Sequence, residues 1–389
     1  MQAIESAIIT VVIPAWRRAD LLRECLYSLE QQSERRFRVA VVSNGGGAAV
    51  EGVAREFGCG FIMLPENRGF AAGVNAGLKT AATPYVAVLN DDVKLHADWL
   101  KHLVHWLETH PESSFCAGKI LSGDGERIDN AGDAVARCGA AWRLGHGAHV
   151  KQQYVLAEHA HPLLAASWTA LLLRRSMVEQ VGELDENFVS YLEDVDYAMR
   201  CVRAGVRGDY LPQAVAWHHG GASSGGASSG GASSGDASPG RAKPDGAVSP
   251  FVFRQMTRNQ LLLLAKNFPL KILLSNAPRI AWAQMLWMLM ATRQGQLPAW
   301  ASGVARFVGA LPVALRDGLG WERASRHRLQ RWMMAGEVAI YADQFGAHRP
   351  APDTFWRWYF AVFRPPVSAA SSAPDAESRR ISESSTRPS

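Results

Sequence analysis

Apolar runs of strand and helix length alternate along the first part of the chain. Ile8–Ile13 is continuous and largely β-branched, as a parallel strand buried on both faces requires. Over Ala19–Gln32 the apolar positions Leu21, Leu22, Cys25, Leu26 and Leu29 recur at helical spacing. A strand at Arg38–Val42 ends at Ser43-Asn44-Gly45-Gly46-Gly47. It is followed by a helical stretch around Val50–Phe57, a strand at Gly60–Leu64, a helix at Gly69–Ala82 and a strand at Tyr85–Leu89. This βαβαβαβ alternation predicts an α/β fold with a parallel sheet of nucleotide-binding topology. Ligands in such sheets sit at the C-terminal ends of the strands, where Ser43-Asn44 and Asn90-Asp91-Asp92 both fall.

Further on, His96–His110, Ser176–Val181 and Leu192–Ala204 read as helices and Ala170–Leu173 as a strand, with Gly205 stopping the last helix. Residues 115–165 lack a clear period and are expected to form a lobe beside the sheet. Gly220–Ser234 is three copies of Gly-Gly-Ala-Ser-Ser, so 220–248 is expected to be a flexible insertion. Helical patterning resumes at Phe251–Asn267 and continues through apolar stretches at Ile280–Ala291 and Trp300–Leu315. Residues 366–389, rich in Ser, Pro and charge, are expected to be disordered. The division is therefore 1–219 for a catalytic domain, 220–248, 249–365 for a helical region, and 366–389.

The net charge of +5 hides a split. Residues 1–250 carry 23 Lys/Arg against 28 Asp/Glu, and residues 251–365 carry 15 against 5. Seven of the 13 tryptophans lie beyond residue 280, which places Trp and Arg together on amphipathic segments. That combination predicts a peripheral helical region on an anionic membrane surface. Nucleic acid is not expected as a partner, because Trp and Met stripes suit lipid better than bases. No run reaches 18 uninterrupted apolar residues, so no transmembrane helix is expected. Five cysteines without Cys-x-x-Cys spacing exclude a zinc ribbon and fit a reducing compartment.

Two acidic clusters carry the chemistry. Asn90-Asp91-Asp92 ends a buried strand, and carboxylates there can hold a divalent metal that bridges phosphates. Ser190-Tyr191-Leu192-Glu193-Asp194 opens a helix. Ser190 and Glu193 have capping-box spacing, which leaves Asp194 and Asp196 as candidates for a general base. His218-His219 follows an apolar run, and one of the pair is a candidate metal ligand or diphosphate contact. Glu66–Gly77 is rich in small residues and opens a helix. It suits either an anion or close helix–sheet packing, and it matches neither a P-loop nor a dinucleotide fingerprint.

Taken in order, Val12-Ile13-Pro14, Glu66-Asn67-Arg68-Gly69-Phe70-Ala71-Ala72-Gly73-Val74-Asn75, Leu89-Asn90-Asp91-Asp92, Leu192-Glu193-Asp194-Val195-Asp196 and Trp217-His218 resemble the family 2 glycosyltransferases, in particular their bacterial rhamnosyltransferase-like branch. The resemblance covers about residues 8 to 270. It implies a GT-A fold and inverting transfer from a nucleoside-diphosphate sugar to a glycan or lipid-linked saccharide in cell-surface polysaccharide synthesis, at the cytoplasmic face of the inner membrane. It also implies Mn²⁺ or Mg²⁺ on Asp92 with His218, His219 being the fallback, and Asp194 as the base. Pro14, Trp16, Ser43 and Asn44 would flank the nucleotide base. Asn67, Arg68 and Asn75 would lie by the ribose or phosphates, and Asn90 and Asp91 would line the donor site. The chain departs from the family pattern at Ser43, Ala15-Trp16 and Thr169. The alternatives are a catalytically silent GT-A scaffold that binds nucleotide sugar or glycan, and a sugar nucleotidyltransferase. The latter would call for a Gly-rich loop near the first strand, where Pro14-Ala15-Trp16-Arg17-Arg18 has no glycine.

Overall fold

A computed structural model describes residues 7–152, 154–220, 249–317 and 322–365. The expected flexible insertion beyond Gly220 and the expected disordered tail lie outside these residues. Strands β1 (Ile9–Ala15), β2 (Phe37–Asn44), β3 (Gly60–Leu64) and β4 (Tyr85–Leu89) alternate with helices α1 (Ala19–Glu30), α2 (Gly47–Glu56) and α3 (Phe70–Thr80). The four strands form a parallel set in which β1 lies between β2 and β4, and β3 flanks β2. Every residue of β1 is buried, which is why its sequence has no polar alternation. Helix α3 lies close on this strand. A Cβ on Gly77 would come within 2.2 Å of Val12 Cγ1. Its small residues therefore serve helix–sheet packing.

The chain continues through β5 (Val93–Leu95), α4 (Trp99–Thr109), β6 (Phe115–Ser122), β7 (Ile128–Asn130), β8 (Asp133–Val135), β9 (Ala141–Arg143), β10 (His161–Pro162), β11 (Ala170–Arg174), α5 (Arg175–Val181), α6 (Glu193–Ala204) and β12 (Gly208–His218). The sheet order is β10-β12-β6-β11-β4-β1-β2-β3. Strand β11 runs antiparallel to both β4 and β6, so the sheet is mixed, while β12 is parallel to β6. Contrary to the expectation of a lobe over 115–165, β6 lies inside the main sheet between β12 and β11, and the lobe is confined to the residues after it. Strand β12 also pairs antiparallel with β5, which sets His218 opposite Val93, the residue after Asp92.

Five helices follow: α7 (Pro250–Asn267), α8 (Leu270–Arg293), α9 (Leu297–Asp317), α10 (Arg323–Gln344) and α11 (Thr354–Val362). Ser249 caps α7 by accepting from Val252 N, with Pro250 at the first helical position. These helices do not form a unit apart from the sheet. Leu262 and Leu263 of α7 and Leu329 and Met333 of α10 share a core with Phe188, Leu192, Val195 and Met199. Ile340, Phe355 and Trp356 pack with Ala134, Cys138 and Trp142.

The tryptophans divide between core and surface. Trp287 and Trp356 are buried, whereas Trp358 is exposed. Among the described residues one helix, Leu297–Leu315, is long and apolar enough to cross a membrane by length and composition alone. A few interspersed polar residues keep it below an uninterrupted run. The five cysteines are free.

Candidate active site

Strand ends bring the first cluster together. Asp92, at the exit of β4, faces His218, at the end of β12, with His218 Nε2 3.3 Å from Asp92 Oδ1. The β5–β12 pairing enforces this meeting between residues far apart in sequence. Behind the imidazole, Asp129 of β7 binds His218 Nδ1 at 2.9 Å, and Arg143 of β9 donates to the other oxygen of Asp129 at 2.7 Å. Burial alone would lower the His218 pKa, but Asp92 and Asp129 outweigh it and lift it to about 10. Burial would likewise raise Asp92, yet His218 and Arg18 hold it well below the usual carboxylate range.

Arg18 places Nη2 2.7 Å from Asp92 Oδ2 and 3.2 Å from Asp91 Oδ1. Burial and the charge of Asp92 push Asp91 up to about 6.

The pair fits a divalent cation that displaces the Nε2 proton of His218. His218 Nε2 and both amide atoms of Asn90 are buried without a hydrogen bond, and the Asp92 oxygens make ion pairs but no well-directed hydrogen bond. A Cβ on Gly220 would come within 2.6 Å of Asp92 Oδ2 and 3.1 Å of His218 Nε2, so glycine there leaves the space before both donors open. Among the described residues no group of three or more His, Cys, Asp or Glu is set for an all-protein site. A cation here would take its remaining ligands from substrate oxygens. The fallback His219 is turned away, its Nε2 lying 3.4 Å from Glu24.

The second cluster is built differently from its sequence reading. No capping box forms. Ser190 Oγ accepts from Phe70 N, and Leu192 occupies the N-cap in the left-handed region at φ 67°. Glu193 is fully buried at the start of α6. Asp194 Oδ1 accepts from Val195 N at 2.8 Å, and burial raises its carboxyl to about 6. Asp133, which accepts from Asn130 Nδ2, is raised to about 8 by burial and then by the charge of Asp194. Two buried carboxyls so placed share a proton near neutral pH. Asp196 is withdrawn from the crevice into bonds with Arg200, Lys266 and Asn267.

The turn carrying the base is strained and clasped. Val189, Tyr191 and Leu192 are the non-glycine residues with positive φ among the described residues. Asn259 of α7 donates through Nδ2 to the carbonyls of Phe188, Ser190 and Tyr191 at 2.8, 2.9 and 2.7 Å, and Gln255 adds a second bond to Phe188 O. On the other side Ala71 N donates to Val189 O.

The donor-side residues converge around the ends of β1 and β2. Asn44 Nδ2 donates to Asn67 Oδ1 and Gly69 O, and its Oδ1 accepts from Arg68 N. Ser43 Oγ accepts from Gly46 N. A Cβ on Gly46 would strike Trp16 O, and one on Gly73 would come within 2.9 Å of Pro14 Cβ. Asn75 departs from its expected place by the ribose or phosphates. It is buried, and its amide bonds Leu184 N, Leu184 O and Glu186. Arg68 pairs with the same Glu186 at 2.9 Å.

Residues that pattern reading missed are Asp129, Asp133 and Arg143, in the lobe without clear period, together with Arg18 and Asn259. The nearest signal was the buried acid run Ile128-Asp129-Asn130-Ala131-Gly132-Asp133.

Comparison with known proteins places part of the chain in a family. Residues 10–182 match the family model described as glycosyl transferase family 2. The chain is 32% identical over 220 residues to the pre-mycofactocin glycosyltransferase of Mycobacterium tuberculosis (strain ATCC 25618 / H37Rv), covering 54% of this chain and 42% of that protein. It is 27% identical over 233 residues to the N-acetylglucosaminyl-diphospho-decaprenol L-rhamnosyltransferase of the same strain, covering 54% of this chain and 76% of that one. Among solved structures, S. aureus TarS 1-349 in complex with UDP-GlcNAc aligns at 14% identity with a TM-score of 0.48, over 87% of this chain and 93% of that one.

Proposed function

Residues 10–182 are a domain of glycosyl transferase family 2, and on that premise we propose that the chain is an inverting glycosyltransferase using a nucleoside-diphosphate sugar. The acceptor is a hydroxyl of a glycan or lipid-linked saccharide, at an anionic membrane surface on the cytoplasmic side. The observation that carries the reading is the joining of Asp92 and His218 at two strand ends, tied through Asp129 and the β7–β8 turn to the Asp133–Asp194 pair.

Asp194 takes the proton of the acceptor hydroxyl. Its raised pKa of about 6 leaves it ionised but basic at neutral pH. Asp133 holds the shared proton and keeps a second charge away from the base. Asn44 fixes the Asn67–Gly69 turn on the donor side, which presents Arg68 for the diphosphate. Asn90 offers a buried amide with both ends open to a ligand. Mn²⁺ or Mg²⁺, held by Asp92 and His218, supplies charge neutralisation of the diphosphate leaving group when bound. Attack from the face opposite the leaving group inverts the anomeric centre. A rhamnosyl donor is the preferred member of the class, supported by the rhamnosyltransferase relative.

The test is a screen of purified protein against nucleotide sugars, with and without Mn²⁺, scoring hydrolysis or transfer. Metal-dependent turnover of one donor is expected. Binding without turnover of any donor would favour the silent scaffold instead.

A further inference from the structure

Away from the reacting groups, α7 and α9 enclose a cavity of about 300 Å³, lined among others by Arg258, Lys266 and Arg306. Two helical stripes face each other across it. Arg258, Leu262 and Lys266 recur every four residues on α7, and Arg306, Ala310 and Ala314 do so on α9. Of the three cations, Lys266 is paired with Asp185 and Asp196. Among the described residues no carboxylate lies within ion-pair distance of Arg258 or Arg306, although Asp185 also lines the cavity. Burial pushes the Arg258 pKa down, Asp185 opposes the shift, and the like charge of Arg306 adds to it. Arg258 bonds through Nη1 to Asn187 O and Asn259 Oδ1, which leaves the rest of its guanidinium open.

The rim is apolar. Val308, Val313 and Leu315 on α9 are exposed, as are Leu270 and Leu274 at the start of α8. A Cβ on Gly309 would meet nothing within 4 Å, so the space above it is open.

Three cations against the one carboxylate of Asp185 in the lining, with two guanidinium groups outside any ion pair and exposed aliphatics on the same helices, match an amphiphile with an anionic head. We propose that this cavity binds the phosphomonoester or diphosphate headgroup of a membrane lipid, with the lipid chains lying along the exposed face of α9. Arg258 and Arg306 hold the phosphate oxygens in charge-assisted bonds, and Gly309 leaves room for the head. The cavity also touches Asp185 and Asn187, in the turn that leads to Asp194. A lipid seated here would therefore lie against the segment that leads to Asp194. Its bearing on the reaction rests on the transferase reading, whereas the binding itself does not.

The experiment is flotation of the full chain with vesicles of phosphatidylcholine containing either phosphatidic acid, a phosphomonoester, or phosphatidylglycerol, a diester, at matched surface charge. The expected result is roughly tenfold tighter binding to the phosphomonoester vesicles. Arg306→Gln and Gly309→Leu should each abolish that preference while retaining general attraction to anionic vesicles. Arg357→Gln, which removes an equal charge from α11, should keep it. Equal binding to both vesicle types overturns the proposal, as does a preference that survives in Gly309→Leu. Calorimetry with inorganic pyrophosphate separates the sources. Pyrophosphate binding that is lost in Gly309→Leu, without any vesicle preference, would assign the cavity to a soluble anion and overturn the lipid. Nucleotide-sugar hydrolysis by the same variants reports folding. Its absence from every protein, wild type included, would count against the transferase reading and leave the vesicle result standing.

Discussion

Replacing Asn259 with Ala should loosen the base without touching it. The Asn259 amide serves the carbonyls of Phe188, Ser190 and Tyr191. Phe188 O keeps its bond from Gln255, so Ser190 O and Tyr191 O are the carbonyls that lose this donor. A buried polar group left without its partner costs about 1–3 kcal/mol, and the Ser190 carbonyl alone sets a loss of that size. The turn also holds Val189, Tyr191 and Leu192 at φ values of 63°, 71° and 67°. Each left-handed non-glycine residue costs about 1–2 kcal/mol, a strain tolerated only while the surroundings over-determine it. Without the clasp the turn relaxes toward ordinary φ and carries the first residues of α6 with it.

Denaturant unfolding of Asn259→Ala should therefore show a loss of about 1–3 kcal/mol. Its kcat should fall by at least about tenfold with a smaller change in donor KM, because a displaced base acts on the chemical step. Asn259→Gln, which keeps the donor, should recover part of both. Wild-type stability in Asn259→Ala would refute the clasp. Lost stability with an unchanged kcat would make it a structural bond with no bearing on Asp194.

Three further outcomes follow from the same geometry. Asp194→Asn should lower turnover by about 10²–10⁴-fold with no loss of thermal stability, since the native carboxyl already resists ionisation; a twofold effect would remove it as the base. The kcat/KM profile should rise through pH about 6 as Asp194 ionises. Because Asp133 and Asp194 have raised folded pKa values, their contribution to stability is full below the unfolded acid pKa and is lost as pH rises through about 8. Asp133→Asn should therefore gain stability over wild type between pH about 5 and about 8, and a wild-type advantage there in denaturant titrations would contradict the shared proton. Arg18→Gln should tighten Mn²⁺ binding in the absence of donor, measured by calorimetry, because the guanidinium lies against the same Asp92 oxygens; unaltered affinity would show that it does not compete.

The legible and illegible parts of this fold differ for physical reasons. Strands β1 and β4 lie inside the sheet and are almost wholly buried, so their residues are nearly all apolar and stand out from the 3.6-residue pattern around them. Asp92 and Asp194 could be read because each follows or opens a strongly periodic element. The lobe could not, since β7, β8 and β9 are three residues long and buried, and no period can be counted over three positions. Asp129 and Asp133 matter through partners that approach from β12 and α6, which no local pattern reports. The capping-box error has a similar origin. Ser190 and Glu193 have the right spacing, but Leu192 in the left-handed region moves the helix start and gives the Ser190 hydroxyl to Phe70 N. Asn75 was misplaced because a polar residue in a small-residue helix reads equally as a ligand contact or as a brace for the turn at Leu184–Glu186.

The position of Asp194 follows from forces on both sides of its turn rather than from its own helix. Helix α6 begins without a side-chain hydrogen bond from its N-cap residue, Leu192. One side of the turn is held by the start of α3, through Phe70 N, Ala71 N and the Arg68–Glu186 pair, next to the Asn67–Gly69 turn. The other side is held by Gln255, Arg258 and Asn259 of α7, beyond the Gly-Ala-Ser-Ser segment in sequence. A catalytic domain drawn as residues 1–219 therefore contains every reacting group and lacks half of what places the base. The first helix after the repeat braces the turn that leads to Asp194, and the cavity it lines touches that same segment at Asp185 and Asn187.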